Sequence, residues 1–143
     1  MAVDERLRTI IVDDETLAVE RLVILCAALA DVVVVGTATD GEKALDLIDT
    51  AEPDLLLLDI SMPELDGIGV ARALGGLARA PAIVFCTAFD QFAVEAFDVA
   101  ATDYLLKPVT PERLSRAVAR VVALRGQGRG GRASLSRWAE EFW

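Results

Sequence analysis

The stretch Leu55-Leu56-Leu57-Leu58-Asp59-Ile60-Ser61-Met62-Pro63 decides the fold of this chain. Four consecutive leucines follow neither a helical period nor the alternation of a half-exposed strand. They therefore predict a strand that is buried on both faces, as in a parallel sheet. The strand ends on Asp59, and the Asp66-Gly67 pair beyond it is a turn signal. Because open parallel α/β sheets carry their chemistry at the carboxyl ends of the strands, Asp59 is either a functional carboxylate or an ordinary turn residue, and this stretch alone does not distinguish the two.

The composition of the chain limits the classes of function. With 143 residues, 54% of them hydrophobic, the chain is expected to form one folded domain. The formal charge of −9 argues against direct binding of nucleic acid or of an anionic membrane by this chain. The sequence contains no histidine, which excludes histidine acid–base catalysis, histidine metal ligands and a phosphohistidine in this chain.

The cysteines and the apolar segments bear on the location of the protein. Cys26 and Cys86 both lie in apolar runs, which predicts buried thiols rather than a disulfide or a metal site. Acidic residues stand near the start, where a secretory signal peptide would carry positive charge. The longest apolar region, residues 22–35, contains an aspartate and is too short to span a bilayer. We expect a cytoplasmic protein that makes no membrane contact.

Five strand–helix pairs follow one another along the chain. Short β-branched or apolar runs predict strands at residues 8–12, 32–35, 55–58, 82–86 and 103–106. Apolar residues at helical spacing predict a helix after each strand, and the last helix begins at the cap Thr110-Pro111 and ends near Leu124. This alternation predicts a doubly wound parallel sheet, with right-handed crossovers and helices on both faces.

The sequence beyond Leu124 has a different character. Residues 125–132 contain four glycines, three arginines and no apolar residue, which predicts a flexible linker. Residues 133–143 carry one leucine and three aromatic residues, and we expect them to form a short helical tail. The folded domain is therefore predicted to be residues 1–124, and the tail is expected to be the start of a further domain in a longer protein.

Polar residues follow the ends of four predicted strands: Asp13 and Asp14, then Asp59, Thr87 and Lys107. Because the carboxyl ends of parallel strands meet at one edge of a sheet, these side chains are expected to lie close together. Three clustered carboxylates need a cation, and oxygen ligands without cysteine or histidine favour Mg²⁺. A carboxylate beside Mg²⁺ can attack a phosphoryl group to form an aspartyl phosphate, which Lys107 and Thr87 could then stabilise.

The same motifs resemble those of bacterial two-component response-regulator receiver domains, over about residues 8–124. In chain order they are Val12-Asp13-Asp14, Leu58-Asp59-Ile60-Ser61-Met62-Pro63 with Asp66-Gly67, Thr87-Ala88, and Asp103-Tyr104-Leu105-Leu106-Lys107-Pro108. The resemblance implies a flavodoxin-like (βα)5 fold with strand order 2-1-3-4-5. It also implies signalling by phosphoryl transfer from a partner histidine kinase.

Under this resemblance, each residue at the strand ends has an implied role. Asp59 would be the phosphoacceptor, and Lys107 would form an ion pair with the phosphoryl group. Asp13, Asp14 and Asp59 would hold Mg²⁺ together with the backbone carbonyl of Ser61, so the side chain of Ser61 is free to vary.

The resemblance also implies a conformational switch, and the chain departs from the family pattern at two positions. Thr87 would move toward the phosphoryl group while Tyr104 turns inward behind it, although Tyr104 could instead simply pack on strand five. The Lys107-Pro108 bond is a candidate cis peptide bond. Ala100 stands where many receivers have glycine, so we expect a different helix cap there. Phe89 is bulky and could shield the acyl phosphate from water.

Residues 87–93 and 105–108 are most similar to receivers of the LytTR-type DNA-binding response regulators, in which a DNA-binding domain follows a linker. We therefore expect transcription control through a LytTR-type domain absent from this chain, with DNA contacted only by the full-length parent. A stand-alone receiver that acts as a protein-interaction adaptor is the alternative. A magnesium-dependent phosphohydrolase is less favoured, because Ser61 stands where the haloacid-dehalogenase-like phosphatases carry a second Asp. No enzyme activity is expected beyond the domain's own phosphorylation and dephosphorylation.

Charges near the last two helices predict a homodimer that forms on phosphorylation. Helix five carries Arg113, Arg116 and Arg120, and the region of helix four and strand five carries Asp90, Glu95, Asp98 and Asp103. Two copies related by a two-fold axis could pair these opposite charges. The resemblance supports this prediction, because receivers of this type commonly dimerise on the helix 4–strand 5–helix 5 face. The alternative is that these charges form an ordinary solvated surface.

Overall fold

A computed structural model of the protein describes residues 4–126, in which five strands and five helices alternate. The strands are β1 (Leu7–Val12), β2 (Val32–Ala38), β3 (Leu55–Leu58), β4 (Ala82–Thr87) and β5 (Asp103–Leu106). The helices are α1 (Thr16–Ala27), α2 (Gly41–Ala51), α3 (Gly67–Leu74), α4 (Ala93–Asp98) and α5 (Pro111–Gly126). The strands form one parallel sheet in the order β2-β1-β3-β4-β5. The predicted flavodoxin-like doubly wound fold is confirmed.

Strand β3 lies at the centre of the sheet, and its four leucines are fully buried. Leu56 and Leu58 pack in the core under α2, α3 and α4, whereas Leu55 and Leu57 pack in the core under α1 and α5. Each buried leucine contributes about 1.5–3 kcal/mol of hydrophobic stabilisation relative to an exposed one. The four-leucine run is therefore apolar on both faces because each face of the sheet is covered by helices.

Three helices begin at side-chain caps that hold them at the site edge of the sheet. Asp40 accepts a hydrogen bond from the amide of Lys43 at the start of α2, at 2.8 Å. Asp66 caps α3 in the same way. The Thr110 hydroxyl accepts from the Arg113 amide at 3.2 Å, which is the cap predicted for the last helix.

Two helices differ in length from the sequence prediction. Helix α1 ends at Ala27 instead of about residue 30. Helix α5 continues to Gly126, so Arg125 and Gly126, assigned above to the linker, are helical. Their helical continuation accompanies an ion pair between Arg125 and Asp54, with a nitrogen–oxygen distance of 3.0 Å. Residues 127–132 of the predicted linker and the predicted tail, residues 133–143, lie outside the described residues.

Helix α4 ends at a residue that is left-handed but is not glycine. Ala100 has a φ angle of 60°. The amide of Ala101 donates to the carbonyl of Ala96 at 3.1 Å, and the amide of Ala100 donates to the carbonyl of Phe97 at 3.0 Å. These are the two bonds of a Schellman cap. The expectation of a different cap is wrong: alanine adopts the glycine conformation here, at a cost of about 1 kcal/mol.

The predicted burial of the two cysteines is confirmed. Cys26 and Cys86 are free thiols in the core between the sheet and helices α1 and α5. Burial raises the pKa of Cys26 to about 11 and raises the pKa of Cys86 as well. Both thiols therefore stay protonated at neutral pH. Within residues 4–126, none of the helices has the length and apolar character needed to cross a bilayer.

Candidate functional site

The pairing of β1 with β3 brings two aspartates to the same edge of the sheet. Val12 and Leu58, the last residues of these strands, lie opposite each other. The amide of Asp59 donates to the carbonyl of Val12 at 2.9 Å. Asp13 and Asp59 therefore leave adjacent strands at the same level, and both are buried.

The pairing of β4 with β5 brings Thr87 and Lys107 to that edge. Thr87 lies opposite Leu106, and the amide of Lys107 donates to the Thr87 carbonyl at 2.8 Å. Thr87 is fully buried, and its hydroxyl accepts a hydrogen bond from the amide of Phe89 at 3.3 Å. The Lys107-Pro108 peptide bond is cis, as the resemblance implies.

Three carboxylates form a compact group at this edge. Asp13, Asp14 and Asp59 each offer one oxygen, and these oxygens lie within 4.8 Å of one another. Asp14 is exposed, whereas Asp13 is fully buried and Asp59 is 4% exposed, so the group opens to solvent on the Asp14 side. Carboxylate oxygens are the ligands that hard divalent cations prefer, so this set fits such a cation.

The environment of Asp59 opposes its negative charge. Burial is the largest cause, and the nearby charge of Asp13 adds to it; together they raise the pKa of Asp59 from 3.8 to about 6. The ammonium group of Lys107 acts in the opposite direction but does not compensate. Asp59 is ionised at neutral pH, but at a cost to the folded state that an added cation would remove.

The ammonium group of Lys107 is shared among carboxylates. Its Nζ atom lies 2.7 Å from Asp13 Oδ2, 3.5 Å from Glu15 Oε1 and 3.7 Å from Asp59 Oδ2. Burial alone would lower the pKa of Lys107, but the interactions with Asp13, Asp59 and Glu15 outweigh it and raise this pKa. Lys107 therefore stays positively charged at neutral pH, at the mouth of the site.

The loop between β3 and α3 closes tightly over the backbone of Asp59. The carbonyl of Ile60 accepts hydrogen bonds from the amides of Met62, at 3.0 Å, and Gly67, at 2.9 Å. A Cβ atom on Gly67 would lie 2.1 Å from the carbonyl oxygen of Asp59, so no larger residue fits there. The sequence marked Gly67 only as a turn signal and did not reveal this close approach. Ser61 lies in the same loop, with an exposed side chain.

Tyr104 is turned inward, toward the loop between β4 and α4. It is 8% exposed, and its ring packs edge-on against Phe85 at a centroid distance of 6.4 Å. Its hydroxyl donates to the Phe89 carbonyl and accepts from the Phe92 amide at 3.2 Å. Burial raises the pKa of Tyr104, which keeps the hydroxyl a donor at neutral pH. The ring of Tyr104 thus packs against β4 while its hydroxyl holds the loop, and its part in a switch stays a prediction.

Phe89 belongs to this loop as well. Its ring stacks edge-on against Phe92, at a centroid distance of 6.2 Å, and the residue is 43% exposed. That it shields the site from water stays a prediction.

Sequence reasoning missed two contacts of the site. Glu15 approaches Lys107, as described above, and the only signal for it was its place beside Asp13 and Asp14. The guanidinium of Arg21, on α1, donates to the carbonyl of Val109 at 2.7 Å and so fixes the segment that follows Lys107. No sequence signal pointed to Arg21.

One part of the predicted dimer charge pattern requires correction. Asp103 is buried, with 2% of its side chain exposed, and it pairs within its own chain. Its Oδ1 atom accepts from the Tyr104 amide at 2.8 Å and lies 3.4 Å from Arg113, while its Oδ2 atom lies 3.8 Å from Arg120. Asp103 is therefore not an exposed partner for a second copy, because β5 and α5 pack together and enclose it.

Comparisons with known proteins agree with this geometry. Residues 9–119 match the family described as the response regulator receiver domain. The positive alginate biosynthesis regulatory protein of Pseudomonas aeruginosa is 50% identical over 113 residues, which cover 78% of this chain and 46% of that protein. The transcriptional regulatory protein BtsR of Salmonella typhi is 41% identical over 115 residues, or 80% of this chain and 48% of that protein.

The fold has a close counterpart among solved structures. The response regulatory domain of protein mrkE from Klebsiella pneumoniae superimposes with a TM-score of 0.79 at 36% identity, covering 85% of this chain and 99% of that one. The chain spans about half the length of the curated relatives named above. By its family match, its fold and its strand-end carboxylates, the chain belongs to the response regulator receiver domains, which serve phosphorylation-based signalling.

Proposed function

We propose that this receiver accepts one phosphoryl group on Asp59 from a partner histidine kinase, in a Mg²⁺-dependent reaction that switches its surface. The observation that carries the proposal is the setting of Asp59. Its Oδ2 atom lies 3.7 Å from Lys107 Nζ. One of its carboxylate oxygens also lies within 4.8 Å of an oxygen of Asp13 and an oxygen of Asp14. A carboxylate that attacks an anionic phosphoryl group needs positive charge beside it, because that charge offsets the repulsion between the two.

The proposed transfer is a displacement at phosphorus. An oxygen of Asp59 forms a bond to phosphorus while the bond from phosphorus to the donor breaks, and the electron pair of that bond leaves with the donor. For a phosphohistidine donor, the leaving atom is a nitrogen of the imidazole ring. The ammonium group of Lys107 would move from Asp13 to a phosphoryl oxygen. The Thr87 hydroxyl would give up the hydrogen bond that it accepts from the Phe89 amide and would donate to a second phosphoryl oxygen.

The residues that would hold Mg²⁺ are Asp13, Asp14 and Asp59, with the backbone carbonyl of Ser61 as a further ligand. When bound, the ion supplies positive charge that offsets the carboxylates and polarises the phosphoryl group. An oxygen-only ligand set suits Mg²⁺, which keeps several of its waters and accepts one or two carboxylates. The raised pKa of Asp59 supports this assignment, since burial and then the nearby charge of Asp13 oppose its ionised form, and a bound cation would offset both.

We propose that the switch passes from Thr87 to Tyr104 through Phe89. The Thr87 hydroxyl accepts from the amide of Phe89, and the Tyr104 hydroxyl donates to the carbonyl of the same residue. When Thr87 turns toward the phosphoryl group, it releases the Phe89 amide, and the loop moves relative to Tyr104. The surface that responds is the face formed by α4, β5 and α5.

This face is the proposed homodimer interface of the phosphorylated protein. Val94 on α4 is 55% exposed and Leu106 on β5 is 50% exposed, so the face offers apolar contact area as well as charge. Because Arg113 pairs with Asp103 inside the chain, Arg116 on the exposed side of α5 is the better candidate for contact with an acidic residue of a second copy.

Sedimentation velocity with and without beryllofluoride, a phosphoryl mimic, tests the interface. Wild type should dimerise with the mimic, and Arg116→Glu should weaken that dimer. Arg113→Glu is the poorer probe, because it also breaks the internal pair with Asp103. A dimer that is unchanged in Arg116→Glu and in Leu106→Asp would mean that the interface lies elsewhere.

For output, we propose transcription control through a LytTR-type DNA-binding domain in the full-length protein. The support is the similarity of residues 87–93 and 105–108 to receivers of that group, together with relatives named as regulatory proteins of about twice the matched length. A stand-alone adaptor is the second candidate. A gel-shift assay that compares the full gene product with this chain decides between them, since only a DNA-binding parent would retard promoter DNA.

We infer no turnover of small phosphate esters. Ser61 occupies the second position after Asp59, where a haloacid-dehalogenase-like phosphatase needs an aspartate as its acid–base group. A serine hydroxyl does not supply that group at neutral pH. Multiple turnover of p-nitrophenyl phosphate with Mg²⁺ would instead favour the phosphohydrolase alternative.

The phosphoacceptor assignment is tested by intact-protein mass after incubation with Mg²⁺ and acetyl phosphate. Wild type should gain the mass of one phosphoryl group, and EDTA should prevent the gain. Asp59→Asn should gain nothing and stay folded. A full mass gain in Asp59→Asn would mean that another residue is the acceptor.

A further inference from the structure

Glu15 contacts the lysine of the site but has no role in the proposed reaction. Its Oε1 atom lies 3.5 Å from Lys107 Nζ. Asp13 and Asp59, the other carboxylates near this ammonium, are both buried, whereas the Glu15 side chain is 72% exposed. Lys107 is thus held from inside the site by Asp13 and from the solvent side by Glu15.

The position of Glu15 on its helix supports a specific interaction. It is the N-cap residue of α1, yet its side chain makes no capping hydrogen bond. Its backbone amide donates instead to Asp13 Oδ1 at 2.9 Å, which fixes Glu15 beside the carboxylate that Lys107 contacts most closely. The carboxylate of Glu15 therefore lies near Lys107 and does not cap the N-terminus of α1.

We propose that Glu15 is a positioning residue that competes with the phosphoryl group on Asp59 for the ammonium of Lys107, and so shortens the life of the phosphorylated state. The proposal rests on the proposed function of Asp59. In hydrolysis, a water oxygen forms a bond to phosphorus, the bond from phosphorus to Asp59 breaks with its electron pair on the carboxylate, and the water proton goes to the phosphate released. An ammonium that stays on the phosphoryl group stabilises the phosphorylated state, and Glu15 pulls it away.

The expected size of the effect follows from the exposure of Glu15. Exposed ion pairs are weak, so removal of this charge should change rates and affinities about two- to fivefold. Glu15→Gln keeps the shape of the side chain and removes its charge. Glu20→Gln is the matched control, because Glu20 is an exposed glutamate on the same helix and is not among the partners of Lys107.

Two measurements on the full chain test the proposal. The first is the rate of phosphoryl loss, which is monitored by intact mass after removal of acetyl phosphate. Glu15→Gln should lose its phosphoryl group about two- to fivefold more slowly than wild type. Glu20→Gln should lose it at the wild-type rate. The second is the affinity for beryllofluoride with Mg²⁺, measured by calorimetry. This mimic is not hydrolysed, and it should bind Glu15→Gln about two- to fivefold more tightly.

A double-mutant cycle with Lys107→Gln isolates the route of the effect. If Glu15 acts through Lys107, Glu15→Gln should change neither the rate of phosphoryl loss nor the affinity for beryllofluoride in the Lys107→Gln background. The proposal is overturned if the effect persists there, if Glu20→Gln reproduces it, or if only hydrolysis changes while beryllofluoride affinity does not. If wild type takes up no phosphoryl group, the proposed function itself fails, which is a separate result.

Discussion

Strand β3 lies between two aspartates, Asp54 at the amino edge of the sheet and Asp59 at the carboxyl edge. The two carboxylates have different surroundings. Asp54, at the amino edge, accepts a hydrogen bond from the Arg8 amide at 2.8 Å and lies 3.0 Å from the guanidinium of Arg125. Asp59, at the carboxyl edge, is buried near two like charges and has its pKa raised to about 6. The amino edge pairs the charge of Asp54 and fastens α5, whereas the carboxyl edge leaves negative charge that a bound cation would compensate.

This difference fits the proposed function, in which the amino edge stabilises the fold and the carboxyl edge carries the proposed phosphoryl transfer. A fold that was optimised for stability alone would give the carboxylate at each edge the kind of hydrogen bond and ion pair that Asp54 has. We attribute the cost that the carboxyl edge keeps in the unliganded state to the proposed reaction, which needs a desolvated nucleophile next to positive charge.

Addition of Mg²⁺ should give the largest change, and it should act on the carboxyl edge alone. A ligand that binds only the folded state at 100 times its Kd adds about 2.7 kcal/mol to the free energy of unfolding. Thermal unfolding in MgCl2, compared with NaCl at the same ionic strength, measures this gain. Asp54→Asn should keep it and Asp59→Asn should lose most of it. An equal rise in NaCl would mean that the three carboxylates form an ordinary solvated edge.

Substitution at the amino edge should reduce stability without affecting chemistry. Asp54→Asn keeps an oxygen for the Arg8 amide but removes the charge that faces Arg125, so the free energy of unfolding should fall by about 1–2 kcal/mol. Urea unfolding measures this loss. Phosphoryl uptake, followed by intact mass, should equal that of wild type. Impaired uptake in a variant that is still folded would contradict the separation of the two edges.

Much of the carboxyl edge could be predicted from the sequence because it depends on local signals. The run of four leucines predicted that β3 is buried on both faces. The positions of the strand ends then predicted that Asp13, Asp59 and Lys107 lie at one edge of the sheet. The burial of Asp103 could not be predicted, because a charged residue at the start of a strand is exposed or enclosed according to how a later helix packs on it. The contact between Glu15 and Lys107 likewise joins residues that are distant in the sequence.

Relief of backbone strain at the amino edge should give the smallest change. Ala100→Gly removes the cost of the left-handed alanine at the end of α4, so the protein should gain about 1 kcal/mol, less the entropy that glycine loses on folding. Ala73→Gly, in the last turn of α3, is the control and should destabilise by up to about 1 kcal/mol. Urea unfolding of both variants, with intact mass after acetyl phosphate treatment, tests the prediction. A loss of stability in Ala100→Gly would contradict the assigned strain.

The pH dependence of stability tests the central claim, that the fold holds Asp59 in a costly ionised state. A pKa raised from 3.8 to about 6 means that the folded protein binds this proton more tightly than the unfolded chain. The contribution of Asp59 therefore lowers the free energy of unfolding as pH rises from about 4 to about 6, and the penalty remains above that range. A shift of two units corresponds to at most about 3 kcal/mol.

The direct measurement is the difference in the free energy of unfolding between Asp59→Asn and wild type, in EDTA, from about pH 4 to about pH 8. Asparagine carries no charge at any of these pH values, so it avoids the penalty. The variant should be more stable than wild type near neutral pH, by at most about 3 kcal/mol, and the advantage should shrink toward pH 4. A variant that is less stable than wild type near neutral pH, or a difference that does not change with pH, would contradict the account.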